Sequence, residues 1–518
     1  MLKSHYDAVV IGSGHNGLVA ACYLGMTGKS VLVIERNDYL GGATTSQRVF
    51  PDYDANLSRY SYLVSLLPQK IIADLGLDIQ LKRRQTASYT PYSTGNEIDS
   101  LLLSNVSEND NQQQIKKLGA KEYDGLRAIY TKQQLFAKKI WDSFLQPLQP
   151  KSYYQKLFQT ADEKEVWQYL TEKPIGHFIE DHLQNDILRG LVLTDAKIGV
   201  VSHAHDESLL QNRTYLYHVI GNKTGEWQVP VGGMGAVAGA LLQKAAQNNV
   251  EFMTNAEFVS LHAGSPNHSV AFKHNGEVRE VSAKYVLKNA ALLPADHAPS
   301  RSDEGSVFKV NMLLKRLPKL RDSQVDAEQA FAGTFHINES YSQLAQSYHE
   351  TLSGKLPTHF PCEIYCHTLT DPSILSIDLA QRGFHTLTLF GLDAPYSLFT
   401  KNHADTKAAY LKGYLAALNG FLAEPIETCL ATDRHGKPCI EAKSPLDLET
   451  ELGLPQGNIF HNQLSWFWNE NPATKAPLWG VETDQERVYL AGSTATRGGA
   501  VSGIAGYAAA QKILGLAT

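Results

Sequence analysis

Two rhythms of apolar residues run along this chain. Near its start, Tyr6-Asp-Ala-Val-Val-Ile11 is an apolar run that ends in Gly12-Ser-Gly-His-Asn-Gly17, and Leu18 to Leu24 follow at helical spacing. A second apolar run, Ser30 to Ile34, stops at Glu35. The pattern predicts strand, tight turn, helix and strand. From Lys121 to about Leu216 the period is helical, clearest in Glu122 to Phe136 and continued by Trp141 and Phe144. Val231-Gly-Gly-Met-Gly235 opens a further helix, Ala236 to Ala246, before short strands at Val250–Met253 and Ala256–Leu261. Ser306 to Leu314 and His385 to Phe390 alternate or run apolar like sheet strands, and Asp405 to Leu422 reads as a helix. A last buried strand, Arg487 to Ala491, precedes a loop rich in Gly and Ala and a helix from Ile504 to Leu514.

The opening pattern carries chemistry because each part has a task on a dinucleotide. Gly12 permits the turn, Gly14 lets the backbone approach a diphosphate, and Gly17 lets the helix sit close to the sheet. Ser13, His15 and Asn16 complete the loop. The helix N-terminus offers free N–H groups and partial positive charge to phosphates, and Glu35 is placed to accept hydrogen bonds from ribose hydroxyls. The segment after Glu35 selects FAD over NAD: Arg36 leads to a second glycine turn, Gly41-Gly42-Ala43-Thr44, which lets the chain pass a diphosphate and a ribityl chain closely. The chain's end agrees. Gly492-Ser493 comes after the last strand, and a helix opening at Gly503-Ile504 points its N-terminus where it stabilises negative charge on a reduced flavin.

Composition narrows the field. A chain of 518 residues predicts at least two domains. With a net charge of −6 and no basic run, nucleic acid is excluded as an expected partner. The five cysteines form no Cys-x-x-Cys and read as reduced core thiols. Gly232-Gly233-Met234-Gly235 lacks the strand and acid of a second fingerprint, so no NAD(P)H site is expected. No apolar stretch approaches a spanning length, and the first strand begins too early for a signal peptide. A cytoplasmic protein is expected. His203-x-His205 has no further ligands at suitable spacing, so no metal is expected.

The chain resembles the flavin-dependent phytoene desaturase and amine oxidase superfamily. Within it, the chain is most similar to the pyridine nucleotide-disulphide oxidoreductase domain-containing protein 2 branch. The resemblance covers nearly the whole chain through Gly12 to Ala21, Gly41 to Ala43, Ser58 to Leu63, Thr194 to Gly199, Val231 to Gly235, Ser444 to Glu449, Gly457 to His461 and Gly503-x-x-Gly506-Tyr507. It implies an α/β fold: a discontinuous FAD-binding Rossmann-like domain of the glutathione-reductase type (1–85, 226–298 and 456–518) and an α+β substrate domain (86–225 and 299–455). It also implies that the strand through Val259 passes the adenine. The branch usually carries His-Pro where this chain has Thr496-Arg497, and a hydrophobic residue where it has Lys197.

Those two departures supply the catalytic candidates: Lys197 as a base with a depressed pKa, and Arg497 as a fork for a substrate carboxylate or a stabiliser of the reduced flavin. The bland readings are a snorkelling lysine and an arginine that caps carbonyls. The expected function is FAD-dependent desaturation or oxidation of a small or lipid-like substrate, with hydride transfer to the flavin and reoxidation by oxygen or a quinone. The alternatives are a flavin amine or amino-acid oxidase and a non-catalytic protein that holds FAD for stability. A peripheral membrane surface and a second copy of the chain are the other partners compatible with this reading.

Overall fold

The computed structural model describes residues 2–95, 97–292, 300–471 and 478–515. Strand β1 (His5–Ile11), helix α1 (His15–Met26) and strand β2 (Val31–Ile34) form as the opening pattern predicts. β1 lies parallel between β2 and the strand Glu277–Lys288. Glu251–Met253 extends the sheet beyond β2, and Val488–Leu490 pairs in parallel with Glu277–Lys288. An antiparallel meander, Ala256–His262 and His268–His274, completes seven strands. β2 is buried at all four positions because both faces of this sheet are covered, which is why the strand reads as a continuous apolar run.

The C-terminal helix Ile504–Leu514 packs against α1. The approach is close: a Cβ on Gly506 would stand 1.8 Å from the Asn16 carbonyl oxygen. Glycine at this position is what lets the two helices touch through backbone.

The second sheet also has seven strands, in the order Ile440–Lys443, Phe308–Leu314, His385–Gly391, Cys362–Tyr365, Thr334–Ile337, Thr86–Thr94 and Glu97–Ser104. Its register sorts the side chains into two layers. Phe308, Val310, Met312, Leu387, Leu389, Ile364 and Phe335 fill a core that includes Tyr410 and Tyr414 of the helix His403–Asn419. On the opposite face, Lys309 lies across from Phe390, Phe390 from Glu363, and Glu363 from His336. These polar residues are also buried. A polar face that water does not wet is expected to surround a site.

The helices between Glu122 and Val219 supply the third wall and share one large core with Trp466, Phe467 and Trp468. The first sheet draws its strands from residues 5–34, 251–288 and 488–490, and the second from 86–104 and 308–443. All five cysteines are buried and unbridged. Among the described residues, no helix is long and apolar enough to cross a membrane.

Candidate active site

A cavity of about 640 Å³ runs from the glycine fingerprint to the polar face of the second sheet. Ligand sites typically occupy about 300–1,000 Å³. At the fingerprint end, α1 begins at Gly14 with no side-chain cap and no acidic residue in its first turn. Its first N–H groups are therefore left for a ligand rather than for the protein. Glu35 is held in place: Oε2 accepts from the Ser13 N–H (2.9 Å) and hydroxyl (2.7 Å), and Oε1 from the Asn37 N–H (3.0 Å). His15 donates through Nε2 to the Ala500 carbonyl (3.1 Å), which leaves Nδ1 to accept from the Thr44 hydroxyl (3.0 Å). Burial pulls His15 down to about 4, and burial with His15 beside it does the same to His461, so both rings stay neutral. Asn289 ties the end of its strand to the turn by donating from Nδ2 to the Gly12 carbonyl (2.9 Å). The buried Asn16 Oδ1 has no hydrogen-bond partner. An uncapped helix start fits the diphosphate, and a fixed acid and an unused buried acceptor fit the ribose hydroxyls, of a dinucleotide.

The predicted cofactor residues divide into two groups. Gly12, Gly14, His15, Asn16, Glu35, Arg36, Gly42, Ala43, Thr44 and Ser493 line the cavity. The others stand one layer back. Ser13 holds Glu35, and its hydroxyl oxygen accepts from the Gly41 N–H (3.1 Å). A Cβ on Gly17 would meet the Gly12 carbonyl at 2.7 Å, and one on Gly492 the Asn289 carbonyl at 2.3 Å. Gly503 and Ile504 are buried against the core rather than in the cavity wall. On the strand expected beside the adenine, Ala256, Glu257 and Phe258 line the cavity, and Val259 is 52% exposed. The pairing register of this strand slips between Phe258 and Ser260, which the alternation of the sequence does not reveal.

Both catalytic candidates turn away from the cavity. Lys197 is buried, but its Nζ pairs with Asp393 (2.8 Å) and donates to the Ser202 carbonyl (2.8 Å). Its neighbours Thr194, Asp195 and Ile198 line the cavity while it does not. Arg497 spends its donors on the protein: on the Phe467 carbonyl (2.8 and 2.6 Å), the Ser143 carbonyl (2.6 Å), the Gln146 carbonyl (2.8 Å) and the Tyr154 hydroxyl (2.8 Å). No donor remains for a substrate carboxylate. The sequence places both residues in segments near the site, but a short irregular turn does not fix which way a side chain points.

The polar groups at the far end of the cavity come from elsewhere. Lys309, His336, Glu363 and Tyr365 come from the second sheet, Asp195 from the helical wall, and Arg84 from the loop before Thr86–Thr94. Glu363 accepts from Thr194 Oγ1 (3.3 Å) and from the Tyr365 hydroxyl. Burial, reinforced by Glu339, pushes Glu363 up to about 7, and burial with Glu363 nearby pushes Asp195 up to about 8. Burial pulls His336 down to about 4. Its Nδ1 lies 2.5 Å from Glu339 Oε2. His336, Glu339 and Glu363 present ligand atoms within 4.8 Å of one another. His203 and His205, the pair weighed for a metal in the sequence, are engaged elsewhere: His203 packs on Tyr348 and His205 bonds Glu180 (2.9 Å). The signal for the missed residues lies in Phe-Lys-Val-Asn, Thr-Phe-His-Ile and Cys-Glu-Ile-Tyr, where polar residues alternate inside otherwise buried strands.

The pattern of the NAD(P)-binding Rossmann-like domain family matches residues 10–69. Cyclohexylamine oxidase from Brevibacterium oxydans IH-35A superposes with a TM-score of 0.57 over 98% of both chains at 14% identity, a likeness of fold. The fold is a Rossmann-type nucleotide-binding architecture joined to a second sheet, the arrangement seen in cyclohexylamine oxidase. The chain belongs to the family of Rv0897c from Mycobacterium tuberculosis, to which it is 43% identical over 98% of its own length and 97% of the relative's. Pyridine nucleotide-disulfide oxidoreductase domain-containing protein 2 of Rattus norvegicus is 29% identical, over 98% of this chain and 93% of that one.

Proposed function

We propose that this protein is an FAD-dependent oxidoreductase that desaturates or oxidises a small or lipid-like molecule. The observation that carries the reading is the single cavity joining the uncapped start of α1 and Glu35 to a buried polar wall on the second sheet. Bound FAD supplies the acceptor for two electrons from a substrate C–H bond.

The chain's own residues do the rest. The α1 N–H groups and Gly42 receive the diphosphate, and Glu35 accepts from ribose hydroxyls. Tyr62, Ile198 and Phe390 hold an apolar substrate body and exclude water. Glu363, near 7, takes or returns a proton at its carboxylate while His336 stays neutral beside it. Oxygen or a quinone would be the electron acceptor, in keeping with the lack of a second nucleotide fingerprint in the sequence.

The test is to purify the protein, release and identify any bound flavin, and titrate the stripped protein with FAD. Anaerobic bleaching of the flavin by acyl, polyene and amine panels then identifies the reaction. A colourless protein that takes up no FAD refutes the proposal.

A further inference from the structure

Arg84 is a cation at the polar end of the cavity whose donors the protein leaves largely unspent. Its Nη1 donates to Thr334 Oγ1 (3.0 Å), its guanidinium carbon stands 5.8 Å from the Tyr365 ring, and its buried Nε has no hydrogen-bond partner. Among the described residues, no carboxylate forms an ion pair with it. Arg497 is the contrast within the same chain, with every donor engaged. A guanidinium partly withdrawn from water with no carboxylate beside it is costly to keep unless a ligand completes it.

We infer that Arg84 is the docking group for the carboxylate of the substrate, which is an organic acid with an apolar body. The inference rests on the oxidoreductase reading of the cavity and names its substrate class. Three features select a carboxylate. A guanidinium presents parallel donors matched to two carboxylate oxygens. The second cation in this region, Lys309, donates to the Tyr60 carbonyl (2.9 Å) and lies over the Tyr62 ring at 4.2 Å, and burial pulls its amine well below the ordinary lysine range, whereas a guanidinium keeps its charge. The remaining lining (Tyr130, Leu191, Ile198 and Phe390 among it) suits an aliphatic or aryl chain. Burial pushes Asp195 up to about 8 and Glu363 up to about 7, so near neutral pH the two carboxyls together carry less negative charge than their number suggests and repel a bound acid less.

The experiment is calorimetric titration of the protein as purified with decanoate and 4-phenylbutyrate, set against decanamide and decylamine. Decanoate and 4-phenylbutyrate are expected to bind, with decanamide at least tenfold weaker. Arg84→Gln is expected to weaken decanoate by about 10- to 100-fold, the worth of one charge-assisted bidentate pair, and Arg84→Lys to recover part of that loss. Equal or tighter binding of the amide or the amine overturns the inference, as does a folded Arg84→Gln protein that binds decanoate unchanged, or no heat from any acid. The ligand series on the unaltered protein decides the matter even if the variants do not fold. Flavin content, read by absorbance on the same sample, is independent of this result. A protein without FAD refutes the oxidoreductase reading, whereas failure of the acids alone refutes only the role of Arg84.

Discussion

Replacing Arg497 separates a structural arginine from a catalytic one. The guanidinium satisfies the carbonyls of Phe467, Ser143 and Gln146, and through Tyr154 a buried hydroxyl. Arg497→Ala strands the buried Phe467 carbonyl and the part-buried carbonyls of Ser143 and Gln146. Each lost partner costs about 1–3 kcal/mol, so the sum over three is roughly 3–9 kcal/mol before the vacated volume is counted. Domain stabilities are typically about 5–15 kcal/mol, so the variant is expected to lose much of its stability. It also unties Ser143 and Gln146 in the helical wall from Phe467. Urea denaturation followed by tryptophan fluorescence measures the loss, since the Trp466–Trp468 stack sits beside the site. Substrate turnover per folded, flavin-loaded molecule is expected to stay within a few fold of wild type. A variant with wild-type stability and a 100-fold loss of turnover would refute the reasoning and restore Arg497 to the reaction.

Lys197→Met is expected to destabilise by about 3–5 kcal/mol, because it leaves Asp393 buried without its partner. The double change Lys197→Met with Asp393→Leu should recover most of that loss in the same unfolding assay. Glu35→Ala should weaken FAD about 10- to 100-fold in a fluorescence-quenching titration. An unchanged affinity would place the ribose elsewhere. Glu363 carries a pH signature. Its folded pKa of about 7 lies above its ordinary value of 4.5, so the folded state holds a proton that the unfolded state has lost, and stability falls as pH rises between the two values. The stability of Glu363→Gln relative to wild type should therefore rise by on the order of 3 kcal/mol from pH 4.5 to pH 8. A flat difference across that range would show that Glu363 is ionised throughout.

The first sheet was legible because its signals are local. A glycine turn, an acid at the next strand end and continuous apolar runs each report on a few adjacent residues. The substrate end was not legible, because it is assembled by register. Lys309, Glu363 and His336 lie on three strands far apart in sequence and meet only through pairing across the sheet. Alternation shows that such strands have a polar face but not what that face meets. Lys197 and Arg497 were singled out as departures from a family pattern. Both departures belong to ion-pair and carbonyl networks that stabilise the walls of the cavity.

The contact between Gly506 and the Asn16 backbone joins α1 to a helix synthesised almost five hundred residues later. Ser493, Ala500 and Val501, also late in the chain, close the same pocket. A nascent polypeptide whose final helix is still inside the ribosomal exit tunnel cannot complete that enclosure. The late residues that line the pocket are seated by the helix that follows them, so removing that helix should loosen a wall to which it contributes no residue itself.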